Sequence, residues 1–268
     1  MVQLFEVEKF EEGRQSSKGN QLKWKSGHRW YKADYAGYEG LAEYVTSRLM
    51  VFSTLDKRSY IAYDTEEIQY RDTKYRGCVS DDFLPQGWQM ITLERLFHSF
   101  RGESLYRQIY QFAETEDRLR FLVEETQRMT GLRDFGVYVS RLLTLDALFL
   151  NEDRHMHNIA VLLDEMGNFH ECPVFDNGAA LLSDTTMDYP PSADVDSCMK
   201  RVRAKTLCPD FDEQLDTAEK LYGKQIRFSF EKNDLKRILS EEAYYPEEMK
   251  ERVIYILTMQ MRKYRYLW

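Results

Sequence analysis

The chain has 268 residues, 43% apolar and 31% charged, which is the make-up of a globular protein and excludes a disordered or fibrous one. Against 45 acidic residues the 37 basic ones leave a net charge of −8, so a broad surface for nucleic-acid phosphates is not expected. No apolar run approaches membrane-spanning length, the opening MVQLFEVEKFEEG is acidic where an export signal would be apolar, and Cys78, Cys172, Cys198 and Cys208 form no CxxC pair; free thiols and a cytoplasmic location are expected.

The first third alternates apolar and polar residues as half-buried strands do, at Leu4–Phe10, Gln21–Lys25 and Arg29–Asp34. Between the first two lies EEGRQSSKGN, a polar turn. Tyr38–Phe52 places Leu41, Tyr44, Val45, Leu49 and Met50 on one stripe, which predicts an amphipathic helix. Two strand-like pieces follow, SYIAYDTEEIQYRD and KYRGCVSDDFL, and the pattern changes near Pro85–Thr92. From there helical runs succeed one another: ITLERLFHSF, ESLYRQIYQF, DRLRFLVEETQRM and FGVYVSRLLTLDALFL. Late helices are predicted at FDEQLDTAEKLYG, closing on Gly223, at NDLKRILSE, and after Pro246. The expected architecture is α+β: a small β-rich N-lobe with one helix over 1–88, then a larger helical C-lobe over 89–268.

Leu148–Gly178 carries the chemistry. A helix is predicted to end near Leu150, a polar loop to run from Asn151 to Asn158, and an apolar strand to span Ile159–Leu163. A turn at Glu165–Asn168 and a second apolar strand then lead to Asp176, with Asn177 and Gly178 behind it. Strand pairing of this kind lets Asp153, Asn158 and Asp176 converge. Phosphoryl transfer needs such a set: one carboxylate to accept or orient the acceptor's hydroxyl proton, and a second carboxylate with a neutral amide oxygen to hold magnesium. Asp153 and Asn158 stand at the spacing of the protein-kinase catalytic loop.

DRHMHN, with DNG downstream, resembles the catalytic loop and metal motif of the HipA-like serine/threonine kinases, which share the DRHxxN phrase with phosphoinositide kinases. The resemblance implies a bilobal protein-kinase-like fold, ATP and Mg2+ as cofactors, and transfer of the γ-phosphoryl group to Ser or Thr of a protein. It implies Asp153 as base or orienter, Asn158 and Asp176 as magnesium ligands, and nucleotide contacts from His155 and from Phe175 beside Asp176. SSKGNQLK resembles the family's phosphate loop, with Lys18, Gly19 and Asn20 around the phosphates. Ser16 matches a serine that members autophosphorylate, an event that would eject the loop and switch the kinase off. WYKAD offers Lys32 as the strand lysine for the phosphates. AEYVTSRLM offers Glu43 as the acid that organises it, preferred over Glu39 one turn earlier. Cys78–Val79–Ser80 stands where a hinge would give backbone groups to adenine, so Val79 and Ser80 join the expected nucleotide contacts. The similarity runs from about Gln15 to Gly223 and is strongest at the catalytic loop and metal motif.

Other readings compete. Phosphoinositide kinases and small-molecule phosphotransferases use similar Asp/Asn loops, although the acidic net charge disfavours a lipid acceptor. A pseudokinase or scaffold would bind nucleotide without turning it over. His155 and His157 form H-x-H, a weak basis for a transition-metal site without a third ligand at fixed spacing. MKRVRAK, Met199–Lys205, is a solvated basic face or a receiver of acidic substrates. The expected partners are ATP and a protein substrate, with no nucleic acid and no membrane. The chain is nearer in size to stand-alone members than to full HipA-type toxins, so an antitoxin-like partner does not follow from it.

Overall fold

The computed structural model describes residues 1–10 and 21–268. In chain order the strands and helices are β1 (Val2–Leu4), β2 (Lys23–Ser26), β3 (Arg29–Ala33), α1 (Glu39–Met50), β4 (Asp64–Tyr70), β5 (Thr73–Asp81) and β6 (Gln89–Thr92). There follow α2 (Leu93–Arg101), α3 (Leu105–Ile109), α4 (Thr115–Thr130), α5 (Phe135–Phe149), β7 (Ala160–Leu163), β8 (Phe169–Glu171), α6 (Val195–Arg201), α7 (Phe211–Tyr222), α8 (Lys232–Glu241) and α9 (Glu247–Lys263). The fold is α+β. By its contacts the chain divides into one unit of Met1–Phe83, Asp176–Val202 and Arg227–Trp268, and a second of Leu84–Phe175 and Arg203–Ile226. Among the described residues no helix is long and apolar enough to cross a membrane.

The first unit is built on a five-stranded sheet in the order β1-β4-β5-β3-β2, antiparallel except where β1 pairs with β4. The two-residue period of a strand sorts its side chains between two faces. One face gathers Leu4, Trp24, Tyr31, Ala33, Ile68, Tyr70 and Val79 into a buried cluster, with the rings of Trp24 and Tyr70 edge to face at 5.1 Å. Removing a buried ring of this size costs about 3–5 kcal/mol. Lys32, between Tyr31 and Ala33, therefore points to the opposite face, towards α1. That helix lies close on β5 because two glycines meet. A Cβ on Gly40 would stand 2.5 Å from the Gly77 carbonyl carbon, and one on Gly77 would stand 2.0 Å from the Lys32 carbonyl oxygen. A side chain on Gly40 would lift α1, and Glu43 with it, off the sheet, whereas one on Gly77 would press on β3 at Lys32 and Ala33.

The expected strand over Leu4–Phe10 is corrected. The strand is Val2–Leu4, and the chain then makes a 3₁₀ turn at Glu6–Glu8, with the Phe5 N–H on a Glu8 carboxylate oxygen at 2.9 Å. The reason is burial: Phe5 and Val7 are 55% and 92% exposed, so the alternation there serves no core. Asp34, just after β3, joins three elements of this unit. Its carboxylate accepts the Gly40 N–H at the start of α1 (2.7 Å) and the Tyr245 hydroxyl ahead of α9 (2.7 Å).

In the second unit, α5 packs on α4 and α7, while β6, β7 and β8 form a three-stranded antiparallel sheet. Helix signals act where the sequence places them. Asp210 accepts the N–H groups of Asp212 (2.8 Å) and Glu213 (3.1 Å) to start α7, and Gly223 ends it with a positive φ of 77°. The predicted turn after β7 is tied by Asp164, which accepts from the Met166 and Asn168 backbone N–H groups at 2.9 and 2.8 Å. All four cysteines are free and buried.

Candidate active site

Within the first unit, Lys32, Glu43 and Asp176 meet. Lys32 Nζ lies 2.8 Å from Glu43 Oε1 and 2.9 Å from Asp176 Oδ1, with the Tyr63 ring centroid 5.4 Å away. Glu43 is the buried member, its side chain 1% exposed, and its second oxygen accepts the Asn177 backbone N–H at 2.9 Å. One carboxylate thus fixes both the lysine and the main chain just past Asp176. Glu39 is spent otherwise: it accepts the backbone N–H groups of Ala36 (2.7 Å) and Gly37 (3.1 Å) and closes the turn before α1. Burial works against the charge on Lys32, but the carboxylates of Asp176 and Glu43 outweigh it and hold the ammonium well above the ordinary lysine range. Lys32 is therefore a permanent, nearly enclosed point charge, the form in which lysine meets phosphate.

Asp176 sits at φ +58°, in the left-handed region that Asp tolerates better than most residues. Leu181 and Leu182, a few residues on, share that region at φ 57° and 58°, and the Leu181 carbonyl receives the Tyr38 hydroxyl at 2.6 Å. Asp176 is 26% exposed against 15% for Lys32, so its carboxylate is the most open member of the trio.

The second unit carries the DRHMHN loop, and one buried arginine shapes it. Arg154, 0% exposed, sends Nε to both oxygens of Asp146 at 3.2 Å and Nη1 to the carbonyls of Asn158 (3.1 Å) and Phe175 (2.6 Å). Asp146 lies on α5 and also accepts from the Asn151 amide at 2.9 Å. Burial pushes the Asp146 carboxyl up, with Arg154 and Asn151 drawing it back. The guanidinium thus holds three points of the loop and its exit, Asp146, Asn158 and Phe175.

On this frame Asn158 donates its amide N–H to the Asp153 carbonyl at 2.9 Å, which leaves its Oδ1 as the acceptor atom. Asp153 Oδ1 stands 3.2 Å from Lys205 Nζ, and Oδ2 stands 3.8 Å from His155 Nε2. The His155 ring accepts the His157 backbone N–H on Nδ1 at 3.2 Å, so in the neutral ring the hydrogen is on Nε2, facing Asp153. His170 belongs to the hairpin instead, 3.0 Å from Asp164 and stacked on Trp88 at 4.5 Å.

Val79 lies inside β5, paired with Tyr31 on one side and Asp64 on the other, so its main-chain groups serve the ladder; Ser80 is bordered by Trp30 of β3. Ser16, Lys18, Gly19 and Asn20 lie outside the described residues. Sequence reasoning did not single out Asp146 or Glu43's hold on Asn177, and it read Lys205 only as part of a basic face. Asp146 had a signal, a lone acid in the apolar run LLTLDALFL, which a buried position permits only with a partner. The pairing of Lys205 with Asp153 spans 52 residues and leaves no local trace. In the same basic stretch Arg201 is committed to the Asp188 carbonyl and the Tyr189 ring.

No family model matches the sequence, and no curated protein matches it. Among solved structures, the chain is similar to a proinflammatory kinase of Helicobacter pylori, CtkA, with a TM-score of 0.66 at 16% identity over 98% of this chain and 95% of that one. A HipA in complex with HipB and operator DNA, from Shewanella oneidensis, aligns at a TM-score of 0.43 and 12% identity over 95% of this chain and 62% of that one, too low to carry an argument. At such identities a likeness speaks for architecture, and the chain has the kinase-like α+β fold of the Helicobacter pylori protein.

Proposed function

We propose that the protein is a kinase that uses ATP and Mg2+ and transfers the γ-phosphoryl group to Ser or Thr of a protein. The observation that carries this reading is the ammonium of Lys32 held between Glu43 and Asp176. A lysine fixed by one buried carboxylate, beside a second carboxylate that opens to solvent, suits the phosphates of a nucleotide and the cation that accompanies them.

By residue type, the side-chain oxygens of Asn158 and Asp176 suit magnesium. Asn158 offers Oδ1 and Asp176 a carboxylate, hard oxygens throughout, and magnesium takes few protein ligands because it keeps water and phosphate oxygens. When bound, the ion neutralises charge on the triphosphate. The chain's own residues do the rest. Lys32 holds the phosphates, and Asp153 aligns the acceptor hydroxyl and accepts its proton as the new O–P bond forms and the bond to the leaving ADP breaks. His155 and Phe175 are assigned to the nucleotide, as are Ser80 near the end of β5 and, from the sequence, Lys18, Gly19 and Asn20. Val79 is withdrawn from that set because its main chain serves the ladder and its side chain the core. Four buried free thiols suit a reducing compartment, and we place the protein in the cytoplasm.

The test is incubation of a cell lysate with γ-labelled ATP and magnesium, adding wild type or Asp176→Ala, followed by phosphoamino-acid analysis. The reading predicts label on serine or threonine of protein with wild type alone. Label in the lipid or small-molecule fraction would move the acceptor to another class, and no label at all would leave a nucleotide-binding scaffold.

A further inference from the structure

Lys205 reaches the candidate catalytic loop from outside it, and none of the roles assigned above uses it. Its Nζ stands 3.2 Å from Asp153 Oδ1. The side chain is 46% exposed, yet the main chain that bears it is pinned on both sides. Ala204 and Thr206 are 6% and 1% exposed. The Ala204 N–H donates to the Pro209 carbonyl at 3.1 Å, and the Leu207 N–H donates to Gln214 Oε1 at 2.7 Å. The Leu207 carbonyl in turn accepts from Arg118 Nη1 at 2.8 Å. A surface lysine on a mobile loop would hold a carboxylate only fleetingly; this one projects from a buried, hydrogen-bonded turn.

The other oxygen of Asp153 faces His155 Nε2 at 3.8 Å, so the carboxylate, 12% exposed, stands between an ammonium and an imidazole. An aspartate has two side-chain torsions, and the second is broad and weakly defined on its own. A charge-assisted contact to one oxygen fixes the carboxylate plane. We propose that Lys205 is a positioning residue for phosphoryl transfer: it clamps Asp153 Oδ1 and so sets the plane against which the acceptor hydroxyl is aligned. This rests on the kinase reading given above. Lys205 then acts through Asp153 and adds nothing where Asp153 cannot serve, whereas a lysine that met the transferring phosphoryl group itself would act independently of Asp153.

The two cases separate in a double-mutant cycle, with γ-labelled ATP, magnesium chloride and α-casein as acceptor. Lys205→Met should lower kcat about 10- to 100-fold, the range expected for one charge-assisted contact, while KM for ATP stays within about twofold. Lys205→Arg should recover most of the loss. In an Asp153→Asn background, Lys205→Met should cost less than about twofold more. A Met variant with undiminished kcat, an Arg variant as poor as Met, or a loss of the same factor in both backgrounds would overturn the clamp while leaving the kinase reading intact. Absence of label with wild type would overturn both.

Discussion

Replacing Arg154 by Met tests how the catalytic loop is held. The guanidinium is wholly enclosed and bonds Asp146 through Nε to both oxygens, with Nη2 3.2 Å from Oδ1, while Nη1 serves the Asn158 and Phe175 carbonyls. Methionine fills much of the volume but leaves the Asp146 carboxylate buried at 1% exposure with the Asn151 amide beside it, and takes the donor from two carbonyls. Removing one partner of a buried pair costs about 3–5 kcal/mol, because the survivor's charge is left uncompensated. At about 2–4 °C per kcal/mol for a chain of this size, the melting temperature should fall by roughly 6–20 °C. Thermal unfolding followed by circular dichroism reads this directly. The same reasoning predicts that adding Asp146→Leu recovers part of the loss, since no charge is then stranded. A shift below about 2 °C for Arg154→Met, or a double variant that melts lower than the single one, would refute the brace.

Glu43→Gln should weaken ATP binding about tenfold in calorimetry, since the amide can still accept from Asn177 but no longer balances Lys32; unchanged affinity would count against the Lys32–Glu43 assignment. Gly40→Ala should destabilise the protein by about 1–3 kcal/mol in urea unfolding, because the new methyl meets the Gly77 backbone and the Tyr245 hydroxyl; a neutral result would mean that α1 has room to shift. Asp34 gives a pH dependence. Burial, with the nearby charge of Glu39, raises its carboxyl to about 7, against the pull of Tyr245, Gly40 and Arg76. A carboxyl raised on folding contributes most to stability below its unfolded value near 4 and loses that contribution as pH rises through about 7, a difference of at most about 4 kcal/mol. Asp34→Asn should therefore flatten the fall in urea midpoint between pH 5 and 7.5, and an unchanged slope would exclude Asp34 as its source.

Local periodicity carried much of the architecture. The runs read as helices from Thr92 onward contain α3 and α5 and overlap α2 and α4 to within two residues at each end, and the alternation at Arg29–Asp34 contains β3 with Lys32 on the α1 face. What failed at Leu4–Phe10 was the inference from alternation to burial: the acids at Glu6 and Glu8 mark a turn, and Phe5 and Val7 meet solvent. Chain order also hides that 176–202 and 227–268 belong by their contacts with the first unit, which is how Asp176 meets Lys32 across 144 positions. The motif phrase singled out Asp153, Asn158 and Asp176, because their chemistry fixes residue types at short spacing. Lys205 and Asp146 escaped it because their work depends on packing, which spacing does not encode.

Nucleotide binding and turnover separate in two variants measured side by side, with magnesium-dependent ATP affinity by calorimetry and transfer rate by label. Asp153→Ala should retain affinity and lose about 10²–10⁴ in rate, whereas Asp176→Ala should lose the magnesium-dependent part of the affinity itself. Variants that bind and turn over like wild type would contradict the assignment of both residues, and with it the claim that this chain transfers phosphoryl groups.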